Sequence, residues 1–364
     1  MLSQKTKRNI LRIIPFGVIW FIFSLVYTLL EKGLLGDLNY YPSTGNPYNF
    51  SRIIFITPLS ALLTGLLTGI MEILYFGKLF AHISFGKKIL YKSIVYLLII
   101  ASFLVLLTIA ANAIELQASF FNSQVLRNAR AFSSSYAFLS IIIYMAAIIV
   151  VTQFYTELSV NLGQGVLANF FTGKYHRPTE EERIYMFLDM KSSTTIAEHL
   201  GHVRYFEMLR EYYADLSDPI IDYSGEIYQY VGDEMVVSWK LTNGLQNNNC
   251  IRCFFALQDA LNKQTAKYQQ NFGLLPCFKA SFHLGKVTTG EIGVIKKEII
   301  FTGDVLNTTA RIQGLCNTYQ VDLLISGQLM EKLSLPASFK IQGLGENELR
   351  GRDEKIALFT ILPA

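Results

Sequence analysis

Long apolar blocks occupy the first 155 residues of the chain, and shorter alternating segments fill the rest. Four blocks, near Arg12 to Leu30, Ile53 to Phe76, Lys92 to Ile114 and Tyr136 to Tyr155, are each long enough to cross about 30 Å of hydrocarbon as a helix. They predict four transmembrane helices. The first exceeds the roughly 7–15-residue apolar region of a removable signal peptide and has no clear small-residue cleavage site after it, so it reads as a span. The polar segment Glu115 to Ser135 lacks strong strand or turn signals and suits a small exposed loop with some helix. Gly65 and Gly69 form a GxxxG, which either brings two helices close or faces lipid. Glu72 and Asn112 lie near the ends of their spans and give no sign of a transport pathway.

From Arg183 onward the pattern changes to alternating strands and helices. Ile184 to Asp189 reads as a strand, and Thr194 to Leu216 as a helix with Ile196, Leu200, Val203, Phe206 and Leu209 on one face. Gly225 to Trp239 reads as a hairpin with Gly232 and Asp233 at its tip. Cys250 to Phe272 is a second helix, Pro276 to Gly285 a strand, and Glu298 to Thr302 a short strand feeding a helix through Asn307 and Arg311. This order predicts an α+β ferredoxin-like domain, an antiparallel sheet with helices on one face. The expected organisation is a four-helix membrane domain over 1–155, a juxtamembrane linker over 156–180 punctuated by Gly173 and Pro178, and the α+β domain over 181–364. The linker is either a transmitter or a passive tether.

Composition sharpens this picture. A hydrophobic fraction of 51% with mean hydropathy +0.31 excludes a chain that is soluble throughout. Lys5, Lys7, Arg8 and Arg12 precede the first span, and Lys78, Lys87, Lys88 and Lys92 lie between the second and third; the other two loops carry Lys32, Arg52, Arg127 and Arg130. The basic bias predicts an integral protein of the inner or plasma membrane, with both termini and the 181–364 domain cytoplasmic. Much of the net charge of +4 is therefore a topology signal and argues against a nucleic-acid partner. Cys250, Cys253, Cys277 and Cys316 all fall in the expected cytosolic part and give no disulfide framework. The CxxC at Cys250 and Cys253 has no second pair or nearby His, so it reads as the packed face of an amphipathic helix.

The candidate chemistry centres on two aspartates. Asp189 ends an apolar strand in FLDMKSST (187–194) and points at a helix start, where backbone N–H groups favour phosphate oxygens. Asp233 sits after Gly232 in the turn of YVGDEMVVSW (230–239). Each alone has a plainer reading, as a helix N-cap and as a turn residue. Together two such carboxylates suit a pair of divalent ions for phosphoryl transfer. Asn307 and Arg311, four residues apart, are otherwise a polar pair on an exposed helix face. His199 and His202 lack a third metal ligand, and His283 reads as packed or hydrogen-bonded within its strand.

Residues Arg183 to about Leu362 resemble the catalytic domain of class III nucleotidyl cyclases, the adenylate and guanylate cyclases. The two aspartate segments are joined, in the same order, by FHLGKVTTGEIG (282–293) and FTGDVLNTTARI (301–312). The resemblance implies that Asp189 and Asp233, with the Met190 carbonyl, bind two divalent ions, Mg²⁺ or Mn²⁺. It implies that Ser193 and Thr194 meet the β- and γ-phosphates, that Asn307 orients the ribose, and that Arg311 stabilises charge in the transition state. Arg350, in NELRGRD, stands where the family has a phosphate-binding lysine. Because the family draws its metal aspartates and its Asn/Arg pair from different subunits, a homodimer is implied. The base-reading positions are held by Gln229 and Ile300. Adenylate cyclases usually place Lys and Asp or Thr there, and guanylate cyclases Glu and Cys or a similar polar residue. The implied reaction is conversion of ATP to 3',5'-cyclic AMP and pyrophosphate by a membrane-bound enzyme of intracellular signalling. The alternatives are the same chemistry on GTP or a pyrimidine triphosphate, and a catalytically silent membrane receptor or nucleotide-binding regulator.

Overall fold

The computed structural model describes residues 3–42, 45–80, 83–163, 166–351 and 354–363. Two compact units divide the chain, one spanning residues 7–168 and the other made of residues 1–6 with 169–364.

In the first unit four helices, Gln4–Leu35, Phe50–Leu79, Phe85–Glu115 and Tyr136–Leu162, are long and apolar enough to cross a membrane. They match the four apolar blocks and extend them by a turn or more at four of the eight ends. Their apolar residues are distributed all round the helix, as expected where lipid and neighbouring helices present equally apolar surroundings. In the first helix only a narrow stripe is buried, at Phe16, Gly17, Trp20, Ser24 and Thr28. The GxxxG of the second helix seats against that stripe: a β-carbon built on Gly65 would lie 2.7 Å from the Phe16 carbonyl oxygen, and one on Gly69 3.1 Å from the Phe16 ring. The second helix passes through a π turn at Glu72–Phe76. There Glu72 is buried and accepts from Lys92 Nζ at 2.5 Å, while Lys92 also donates to Glu157 at 2.7 Å and Tyr96 donates to Glu72 at 3.0 Å. Three helices thus share one buried ionic cluster. The polar loop holds a helix, Ser123–Ser133, capped by Asn122, whose side chain accepts from Gln124 N at 2.8 Å.

The second unit is built on an eight-stranded sheet. Its strands are β1 (Thr179–Met190), β2 (Glu226–Val231), β3 (Glu234–Lys240), β4 (Phe278–Ile292), β5 (Glu298–Thr302), β6 (Leu323–Ser326), β7 (Phe339–Asn347) and β8 (Ile356–Pro363). They run in the order β2-β3-β1-β4-β6-β8-β7, and β5 pairs with β4 off this path. Every pairing is antiparallel except β4 with β6, which is parallel.

Alternation along β1 assigns its two faces. Ile184, Met186 and Leu188 join the main core with Tyr212, Trp239, Phe254 and Phe282, beneath helices His202–Asp222 and Asn249–Lys263. Cys250 and Cys253 lie in this core. Tyr185 and Phe187 point the other way, to Val236, Val287 and Val305, where helix Asp304–Gly314 packs. The expected antiparallel sheet with helices on one face is therefore corrected at two points, the parallel β4–β6 pair and this helix on the opposite face. The expected helices also break. Gly201, at φ +75°, separates Ser193–Leu200 from His202–Asp222, and Gln264 separates Asn249–Lys263 from Thr265–Phe272. The break at Gly201 resets the helical phase. Met208, Leu209, Tyr212, Leu216 and Ile220 become the buried stripe, whereas Val203 and Phe206, expected on the inner face, are 77% and 69% exposed.

Candidate active site

Strand register places the first carboxylate. Asp189 lies near the end of β1, opposite Glu234 on β3 and Lys279 on β4. Lys279 Nζ is 3.4 Å from Asp189 Oδ2. Asp189 follows the face of Tyr185 and Phe187, the side occupied by helix Asp304–Gly314, and from that helix Gln313 comes near its carboxyl. Met190, on the other face, is buried in the main core, which fixes the end of the strand. The Lys191 N–H donates to the Cys277 carbonyl at 2.9 Å, and Ser192 turns at φ +55° into helix Ser193–Leu200. Ser193 is half-buried and Thr194 exposed at that helix start.

The second carboxylate is presented by the β2–β3 hairpin. Gly232 adopts φ +63°, and the Tyr213 hydroxyl donates to its carbonyl at 2.9 Å, which anchors the turn to helix His202–Asp222. Asp233, next in the chain, is half-buried. The two aspartates and Glu234 repel one another. Burial, then the charge of Asp233, pushes the Asp189 carboxyl above its ordinary range; Lys279 and Gln313 oppose this. Glu234 is raised by burial and by both aspartates, and Tyr205 and Tyr213 are raised by burial and then by Asp233. Such concentrated negative charge suits a hard divalent cation. Among the described residues no three His, Cys, Asp or Glu side chains form a metal cage. Two carboxylates and a main-chain carbonyl are nevertheless a sufficient protein share for an ion that takes other oxygens from phosphates and water.

The remaining candidates form a second group. Asn307 is exposed on helix Asp304–Gly314, and Arg311 is half-buried one turn on, with its Nη1 buried and without a hydrogen-bond partner among the described residues. A β-carbon built on Gly351 would lie 3.5 Å from Arg311 Nη2, so the loop carrying the exposed Arg350 abuts Arg311. Gln229 and Ile300 are tied through their neighbours: the Phe301 N–H donates to the Tyr228 hydroxyl at 3.3 Å, and the two rings are 4.8 Å apart. Tyr228 falls at an irregularity in the β2–β3 register, between Ile227 and Gln229. Gln313, on the same helix, is buried near enough to lower the Asp189 carboxyl, but its Nε2 makes no hydrogen bond among the described residues. His199 and His202 are exposed on either side of Gly201, and His283 Nδ1 is 2.8 Å from Ser326 Oγ within the sheet.

Residues 176–362 match the family described as the adenylate and guanylate cyclase catalytic domain. The chain belongs to this family. Adenylate cyclase 2 of Rhizobium meliloti (strain 1021) is 35% identical over 223 residues, covering 61% of each protein. The adenylate cyclase of Anabaena cylindrica is 26% identical over 183 residues, 48% of this chain and 36% of that protein. The chain thus spans less than two thirds of the length of these curated relatives. A bacterial light-regulated adenylyl cyclase shares the fold at a TM-score of 0.53 and 20% identity, over 63% of this chain and 66% of that one. The mixed sheet that follows the four apolar helices is therefore a class III cyclase domain.

Lys279 is a neighbour of Asp189 that the sequence reading did not name. Its signal was available only through register: it stands in a strand with no motif of its own, and pairing of β4 with β1 sets it beside Asp189.

Proposed function

We propose that the chain is an integral membrane nucleotidyl cyclase that converts ATP to 3',5'-cyclic AMP and pyrophosphate at two sites shared across a homodimer. The observation that carries this reading is the crowding of Asp189 and Asp233 against their mutual repulsion, beside the half-buried start of helix Ser193–Leu200. Asp189, Asp233 and the Met190 carbonyl hold two divalent ions, Mg²⁺ or Mn²⁺, which when bound lower the pKa of the ribose 3'-hydroxyl and neutralise charge at the α-phosphate.

The chain's own groups supply the rest. The N–H groups of Ser193 and Thr194 take phosphate oxygens at the helix start, while Lys279 and Arg350 add charge for the same oxygens. Asn307 orients the ribose. Arg311, whose Nη1 is left unsatisfied, is held ready for an anion and opposes charge that grows at the phosphorus centre in the transition state. Arg311 packs beside the Gly351 loop of its own chain, and each site is completed by the Asn307 and Arg311 of a second copy.

ATP is favoured because the curated relatives named above are adenylate cyclases. Gln229 offers both a donor and an acceptor to a base edge, and Ile300 offers only shape, so GTP is the second reading. The basic flanks support a topology with both termini and the catalytic domain in the cytoplasm. Purified protein incubated with each of the four nucleoside triphosphates and Mn²⁺ is expected to yield cyclic AMP foremost by mass spectrometry. Absence of every cyclic nucleotide sinks the reading, and dominant cyclic GMP replaces ATP with GTP.

A further inference from the structure

Arg183 lies on β1, six residues before Asp189, and is 1% exposed. By alternation along β1 it shares the sheet face of Tyr185 and Phe187, where Phe301 also packs. Nη1 donates to Glu181 Oε2 at 2.9 Å; Nη2 donates to Ser238 Oγ at 3.1 Å and pairs with the Glu226 carboxylate. The guanidinium carbon sits 4.7 Å from the centre of the Phe301 ring. One side chain therefore grips β1, β2 and β3 through hydrogen bonds and β5 through stacking.

Burying a cation there is costly, and a buried ion pair adds little net stability over an apolar residue of similar volume. What arginine adds is a rigid planar fork with a stacking face, a geometric constraint that lysine or methionine cannot reproduce. Strand β5 needs such a constraint. It has five residues and pairs in the sheet only with β4, and its Phe301 N–H is taken by the Tyr228 hydroxyl rather than by another strand. Gln229 and Ile300 are the immediate neighbours of Tyr228 and Phe301.

We propose that Arg183 is a positioning residue that sets the spacing between β2 and β5, and with it the slot between Gln229 and Ile300 that accepts a planar nucleobase. The positioning role stands on the contacts alone; the nucleobase role rests on the cyclase reading above.

Two measurements on the full-length protein in detergent test it. Hydrogen exchange of the peptide covering 298–302 is expected to speed up at least about tenfold in Arg183→Met, and in Phe301→Leu, which removes the stack without disturbing the charges; a change of this size is readily resolved against local opening. Phe301→Leu also keeps the test open should Arg183→Met fail to fold. Steady-state kinetics are expected to show KM for ATP rising about tenfold with kcat within about threefold, and the ATP-to-GTP preference narrowing. Arg183→Lys is expected to rescue neither readout, since it restores charge without the fork. Unchanged exchange over 298–302 in both variants overturns the positioning role whatever the kinetics. Faster exchange with unchanged KM and base preference overturns the nucleobase role. A wild-type protein that makes no cyclic nucleotide removes the cyclase reading and the nucleobase role with it, while exchange still decides the positioning role.

Discussion

At the scale of single residues, the two aspartates are poised by conflict. Folded Asp189 keeps its proton to higher pH than the unfolded chain does, because burial and Asp233 disfavour its charged form. Without metal, its contribution to stability is therefore intact below the ordinary carboxylate range and fades as pH rises through the raised value. Melting of the metal-free protein in detergent from roughly pH 4 to 7 should show this decline. Asp189→Asn should flatten the decline and raise the midpoint near neutrality, while abolishing cyclase activity with Mn²⁺. A steeper decline in that variant would refute the assignment. Arg311 should behave differently. Its Nη1 is already unsatisfied, so Arg311→Ala is expected to leave the midpoint unchanged or slightly higher while lowering kcat about 10²- to 10³-fold. The strand end at Asp189, the turn at Asp233 and the helix that carries Asn307 and Arg311 were legible, because each sits in a phrase with its own turn or helix signal. Lys279 was not, because its position beside Asp189 comes from long-range pairing of β4 with β1, which a local pattern does not encode.

At the scale of elements, apolar blocks read well and helix phase read poorly. The hairpin tip at Gly232–Asp233 and the strand Glu298–Thr302 are where the pattern puts them, since alternation and turn chemistry act over a few residues. On the helix after Asp189, Ile196, Leu200 and Leu209 pack on the core as expected but Val203 and Phe206 do not, because one Gly, at residue 201, ends the first helix and starts the next at a new angle. In the membrane unit the pattern marked Gly65 and Gly69 but not their partner, which is the first helix. With a β-carbon at Gly65 landing 2.7 Å from a backbone oxygen, Gly65→Leu cannot be absorbed by side-chain movement. It should cost roughly 1–3 kcal/mol of unfolding free energy, seen as a lower melting temperature in detergent. The buried cluster of Glu72, Lys92 and Glu157 makes a second test, because Lys92→Met takes the nearest cation from two carboxylates that are only 4% and 5% exposed, leaving Glu157 with Lys88 at 3.8 Å and Glu72 with its Tyr96 and Gln153 hydrogen bonds. A loss of about 3–5 kcal/mol is expected, most of it recovered when Glu72→Gln and Glu157→Gln are added to neutralise the site. If the triple variant is no more stable than Lys92→Met alone, the cluster does not act as one ionic unit.

At the scale of the whole molecule, the decisive question is whether one chain holds a complete site. Within the chain, Arg311 lies beside the loop of Gly351. If the site is shared across a two-fold axis, a dimer of Asp189→Asn with Arg311→Ala carries both defects in one site and neither in the other. The heterodimer, isolated through two different affinity tags, is then expected to regain about half the wild-type rate per dimer, although each homodimeric variant is inactive. A site contained in one chain predicts no recovery, since every chain of the heterodimer would carry one defect. The rate of the purified heterodimer in the Mn²⁺ product assay therefore separates the two arrangements without any need to know which signal, if any, the membrane helices receive.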